Sequence, residues 1–293
     1  MEPQDATQPT SDARPPETLP VAPQQSAAPC PTCGDGMSAS ADYAPTFVYA
    51  LGRVEAQFPS LGVEKEFAQA GARAEASGTD AAVMKKALQA NRYLTRQICW
   101  VFRISGLETY LLRPRDPADL ALLVDAVRED PASTDIDLVI GVLDPQPMTC
   151  GVVTLPVVTF DQLYSFDRAA LLAALPRPEE DAGTYDRSAG YVLDTIALMT
   201  DNAGATDEHR ALNYLAVRYP GIYETTAQAH GRNQRLADIR VEPAPVSTTR
   251  RQLDVVWTYA DRATDVPDRY FCRVDVEEEF PFLVTRLAPY YRR

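Results

Sequence analysis

Gln97-Ile98-Cys99-Trp100-Val101-Phe102-Arg103-Ile104-Ser105-Gly106-Leu107-Glu108-Thr109-Tyr110-Leu111-Leu112 is the stretch that decides the fold class. Its first half is dense in β-branched and aromatic residues, Ser105-Gly106 supplies a turn, and Thr109 to Leu112 returns to strand texture. The stretch therefore reads as a β-hairpin. Upstream, Phe47-Val48-Tyr49-Ala50-Leu51 is another strand, and 64–76 and 80–93 read as helices separated by Gly78. Downstream, Asp116-Pro117 opens a helix: Asp can cap, Pro fits the first turn, and Leu120, Leu123, Val124 and Val127 recur at helical spacing. Strands follow at 136–143 and 152–160, then helices at 167–175, 187–200, 206–218 and 222–230, the last two divided by Pro220-Gly221. Strand texture returns at 253–259 and 269–276. No internal repeat is present. Strands and helices interleave irregularly, so the fold class is α+β, with mixed strands and helices around one core rather than a doubly wound sheet.

The 293 residues fit one large domain or two small ones. Seven prolines lie among Gln, Ser, Thr and Ala in residues 1–29, which are expected to form a disordered tail before a single domain over 30–293. No run approaches the length of a membrane span, and the N-terminus lacks a secretory pattern. A net charge of −13 disfavours nucleic acid and anionic membranes as partners. Five cysteines without an export signal point to a reducing cytoplasm, with thiols free or holding a metal.

Among chemical signals, Cys30-Pro31-Thr32-Cys33 is the sharpest. Two thiolates at that spacing supply half of a tetrahedral zinc site. Its other ligands are open among Cys99, Cys150, Cys272, His209 and His230. A lone cysteine in an apolar strand is more often core than ligand. Glu208-His209 invites an acid–base reading, but Asp207 and Glu208 are better explained as favouring a helix N-terminus. Asp275 with Glu277-Glu278-Glu279 reads as a solvated edge, a surface for a basic partner, or a cation site. Tyr290-Tyr291-Arg292-Arg293 is either a docking tail or the end of the core.

The chain resembles the C-terminal domain of cyanobactin maturation proteases of the PatA/PatG type. The likeness lies in Phe47–Gly52, Phe58-Pro59-Ser60-Leu61, Asn91-Arg92-Tyr93-Leu94, Gln97–Val101, Gly106–Tyr110 and Arg113–Asp119. It continues in Phe160–Phe166, Asp201–Arg210, Arg273–Val276 and Glu279–Val284. That resemblance implies an accessory module of ribosomal-peptide maturation, associated with zinc and with homodimers. No subtilisin-like Asp/His/Ser set accompanies it here, so proteolysis is not carried over. The resemblance places family cysteines at Cys30, Cys33, Cys99 and Cys150, which are the expected ligands of a structural zinc. The expected function is thus non-catalytic binding of a ribosomal precursor peptide or a processing protease. The rival is a peptide-modifying or hydrolytic enzyme using zinc or Glu208 and His209.

Overall fold

The computed structural model describes residues 44–73, 78–175, 182–199, 201–245 and 249–291. The expected tail over 1–29, Cys30, Cys33 and Arg292-Arg293 lie outside them.

Strand β1 (Phe47–Gln57) shows why its first half, Phe47 to Leu51, is apolar without alternation. Val48 and Ala50 enter one core, with Phe67, Leu88 and Leu123, while Tyr49 and Leu51 enter another, with Ile196, Leu212 and Trp257. Successive side chains point to opposite faces, so a strand buried on both sides must be apolar throughout. Helices α1 (Leu61–Arg73) and α2 (Asp80–Ala90) follow, the second capped by Thr79, whose hydroxyl accepts from the Ala82 amide at 3.1 Å. Strands β2 (Cys99–Ile104) and β3 (Leu107–Pro114) form the expected hairpin. Its turn puts Ser105 and Gly106 at φ 50° and 82°, the left-handed conformation a two-residue hairpin turn favours.

A 3₁₀ turn (Pro117–Asp119) leads into α3 (Leu120–Ala126). Asp116 caps it, accepting from the Ala118 amide at 2.8 Å. Strand β4 (Asp135–Leu143) pairs antiparallel with β1. The strand expected at 152–160 is instead two elements meeting at Pro156, which has no amide to donate. Strand β6 (Val153–Leu155) closes a small hairpin with β5 (Met148–Cys150), whereas β7 (Val157–Asp167) joins the main sheet. There β7 runs parallel to β3 and antiparallel to β4, closing a five-stranded barrel in the order β1-β2-β3-β7-β4. Gly141 permits the close approach of β4 to β7, since a Cβ there would lie 2.4 Å from the Thr159 carbonyl oxygen.

Helices α4 (Arg168–Ala173), α5 (Ala182–Ala197), α6 (Asp207–Arg218) and α7 (Gly221–Gly231) come next. Four antiparallel strands then form a second sheet, β8 (Gln234–Pro243), β9 (Gln252–Asp261), β10 (Pro267–Asp275) and β11 (Phe282–Pro289). Its inner face, with Val255, Trp257, Tyr259, Cys272 and Val274, shares a core with α5–α7 and the outward side chains of β1 and β4. The fold is α+β. Among the described residues, no helix is long and apolar enough to cross a membrane.

Candidate functional site

Cys99 opens β2 and Cys150 ends β5. The β5–β6 hairpin packs with Val101, Leu111 and Val157, and this brings the two cysteines together as a disulfide with Cα atoms 6.1 Å apart. The sequence led us to expect free or metal-bound thiols here; the packing of the hairpin provides a disulfide geometry instead. In that bonded form neither sulfur is a thiolate, the species that ligates zinc. Reduced, the same positions would offer two thiolates side by side. Cys272 is fully buried, and burial pushes its thiol up to about 12, which makes it a core residue. Among the described residues, no three His, Cys, Asp or Glu side chains converge on a metal position.

Helix α6 begins as its sequence demands. Thr206 accepts from the His209 amide at 3.2 Å, and Asp207 and Glu208 occupy the first turn. Glu208 is exposed, while His209 is half-buried and its Nδ1 is buried without a hydrogen-bond partner. Burial lowers the His209 imidazole below its ordinary range, against the opposing charges of Glu208 and Asp201. Adjacent helical residues do not face each other. The two side chains are therefore not brought together as an acid–base pair.

The neighbouring Arg210 is the centre of this region. It is 1% exposed and donates from one NH group to Asp207 Oδ1 at 3.0 Å and to the Val276 carbonyl at 2.9 Å. Its other NH group reaches the Glu278 carbonyl, and the guanidinium lies 5.1 Å from the centre of the Phe47 ring. Arg115 is 2.8 Å from Asp161 and 3.9 Å from Glu279. Burial, then the hydrogen bond and charge of Asp161, raise the Glu279 carboxyl to about 7. Asp161 Oδ2 is the oxygen that Arg115 approaches, whereas Glu279 Oε1 is buried without a conventional donor. A proton on Glu279 turns one carboxyl into a donor for the other. The network ties the barrel, through Phe47, Arg115 and Asp161, to α6 and to the segment after β10.

The expectation of a solvated acidic edge holds for the exposed Glu278 and fails for Asp275. Asp275 is 1% exposed and takes both arms of Arg250 at 2.6 and 3.0 Å. Despite burial, which acts in the opposite direction, those bonds and the Glu277 amide hold its carboxyl below the usual range. Glu277 accepts the Arg251 amide at 2.7 Å. The arginines that neutralise this run lie far away in sequence, so no local pattern announces them. At the C-terminus, Tyr290 bonds Glu242 at 2.6 Å and stacks edge-on against Phe271, whereas Tyr291 is exposed.

Several clefts bordered by described residues lie outside this network. One of about 500 Å³ has Leu88, Leu120 and Val124 on its wall and Arg92 and Arg96 beside them. Another, of about 390 Å³, is bordered by α5, α7 and β8 and contains Ser188 and His230.

With this geometry in view, residues 47–234 match the family described as PatG Domain, and 179–290 match PatG C-terminal. A solved structure titled "PatG Domain of Unknown Function" is 21% identical with a TM-score of 0.70, covering 83% of this chain and 98% of its own. At that identity the likeness bears on the fold alone. No curated protein matches the chain.

Proposed function

The chain belongs to the PatG Domain family, and from that premise we propose that it is a non-catalytic accessory protein of a cyanobactin-like ribosomal-peptide maturation pathway. It acts in the cytoplasm by binding a precursor peptide or a processing protease. The observation that carries this reading is the family match over residues 47–234. The divergence of Glu208 and His209 on α6 supports it, since the adjacent pair is not arranged to act on one bond.

The zinc belongs to the same proposal. Cys99 and Cys150, once reduced, fit half of a tetrahedral thiolate set. Cys30 and Cys33 would complete it. Closed by four thiolates, the metal would be structural, because a catalytic zinc keeps a position open for water. The homodimer is proposed from the resemblance, and the exposed Phe280, Phe282, Val284 and Tyr291 support it as apolar surface available for an interface.

Gel filtration of the chain with a cyanobactin-type precursor peptide and a processing protease tests the function, with mass spectrometry of the recovered peptide. Co-elution with the peptide mass unchanged is expected. A mass change that disappears in His209→Ala would overturn the accessory reading in favour of an enzyme.

A further inference from the structure

We propose that the cleft bordered by α5, α7 and β8 binds a small oxyanion, a carboxylate or phosphate group carried on an apolar body. The cleft is about 390 Å³, the size of a small-molecule site. Its lining includes Arg187, Arg235, Arg262 and His230 and contains no Asp or Glu, in a chain whose net charge is −13. Such a local reversal of sign concentrates anions. Arg262 has no carboxylate partner among the described residues and instead lies 3.5 Å from His230 Nδ1. Arg235 pairs with Asp265 at 3.3 Å, but that pair is exposed and easily exchanged. Arg187 donates to the Gly183 carbonyl at 3.2 Å, and the cations offered to the anion are Arg262 and Arg235.

A second observation is independent of charge. Ser188 lines the cleft, is 7% exposed, and its hydroxyl has no hydrogen-bond partner. Buried hydroxyls are ordinarily satisfied, so an orphan beside a cationic cleft is what a missing acceptor leaves behind. The groups that oppose an anion are already engaged. The Gln228, Ala229 and His230 carbonyls at the end of α7 accept from the Arg232 and Asn233 amides, and Asp268 accepts from Gln234 at 2.6 Å. Tyr191, more than half exposed, and Leu236 supply apolar contact for the rest of the ligand.

Calorimetric titration of the intact chain tests this with inorganic phosphate, N-acetylphenylalanine and the uncharged N-acetylphenylalanine amide. Saturable binding of at least one anion is expected, with none of the amide. Arg262→Gln should weaken it at least about tenfold, because a charge-assisted bond is lost. Ser188→Ala should weaken it several-fold with circular dichroism and melting temperature preserved. Binding of phosphate alone assigns the site to a phosphate-bearing ligand, and binding of the carboxylate alone assigns it to a peptide or amino-acid terminus. If neither anion binds, or if binding is unchanged in both variants, the proposal is wrong. The accessory role is untouched by that outcome, since its test uses a precursor peptide and a protease.

Discussion

Glu279 is a carboxyl placed where its charge is least welcome, half-buried and against Asp161, with Arg115 3.9 Å away as partial compensation. Its proton affinity in the folded chain is raised from 4.5 to about 7, so between those values the folded state holds a proton that the unfolded state has released. The stability this proton provides is complete below about pH 4.5 and is lost as pH rises through about 7. Chemical unfolding at pH 5 and pH 8 should show the native chain losing on the order of 1–2 kcal/mol relative to Glu279→Gln, which cannot titrate. Using the difference removes the opposite trend from His209, whose lowered affinity favours folding as pH rises past its unfolded value. Equal slopes for the two proteins would show that Asp161 and Glu279 share no proton. None of this was legible in the sequence. Asp161 sits beside Phe160 and Arg210 beside His209, and only tertiary contacts make partners of residues so widely separated.

At the scale of elements, legibility follows burial. Strand β1 and the β2–β3 hairpin could be recognised because their apolar and β-branched residues are packed against cores. The caps at Thr79, Asp116 and Thr206 make local bonds, so short motifs suffice to identify them. Strands β8 and β11 escaped, and both are edges of the second sheet. An edge strand needs only one apolar face, and β11 carries Arg286 and two small or polar residues among its eight positions. It is also protected in a way no strand pattern encodes. The amides of Leu283 and Leu287 donate to the Tyr214 and Tyr219 hydroxyls at 3.1 and 2.8 Å, so α6 and the residue that ends it occupy donors that an edge would otherwise offer to another chain. Tyr219→Phe should therefore cost about 0.5–1.5 kcal/mol in denaturant unfolding and accelerate hydrogen exchange at the Leu287 amide. Unchanged exchange at that amide would mean the hydroxyl does not protect the edge.

For the whole molecule, the irregular interleaving of strands and helices pointed to α+β, but barrel closure was out of reach. Closure rests on the parallel β3–β7 pair, from Leu111–Val157 to Pro114–Phe160, a long-range register that no single segment reveals. The cysteines pose the same problem: Cys99 and Cys150 are brought together by packing of the β5–β6 hairpin, not by sequence spacing. Zinc and disulfide are competing fates for these sulfurs, because ligation requires thiolates. Chain purified under reducing conditions without added metal should contain about one zinc per protomer for a closed intrachain four-thiolate site, or about half if each of two subunits supplies two ligands. Oxidation should release it as Cys99 and Cys150 pair. Light scattering at micromolar concentration should give twice the 32.2 kDa chain mass, and in the shared case removing zinc should return the monomer. Cys99→Ser with Cys150→Ser should eliminate zinc from the reduced protein and lower its melting temperature, since metal bound only by the folded chain stabilises it. If zinc content and melting temperature are unchanged, the four-cysteine site is wrong. Cys272 would be a poor replacement, because burial holds its thiol near 12, far from the thiolate that zinc requires.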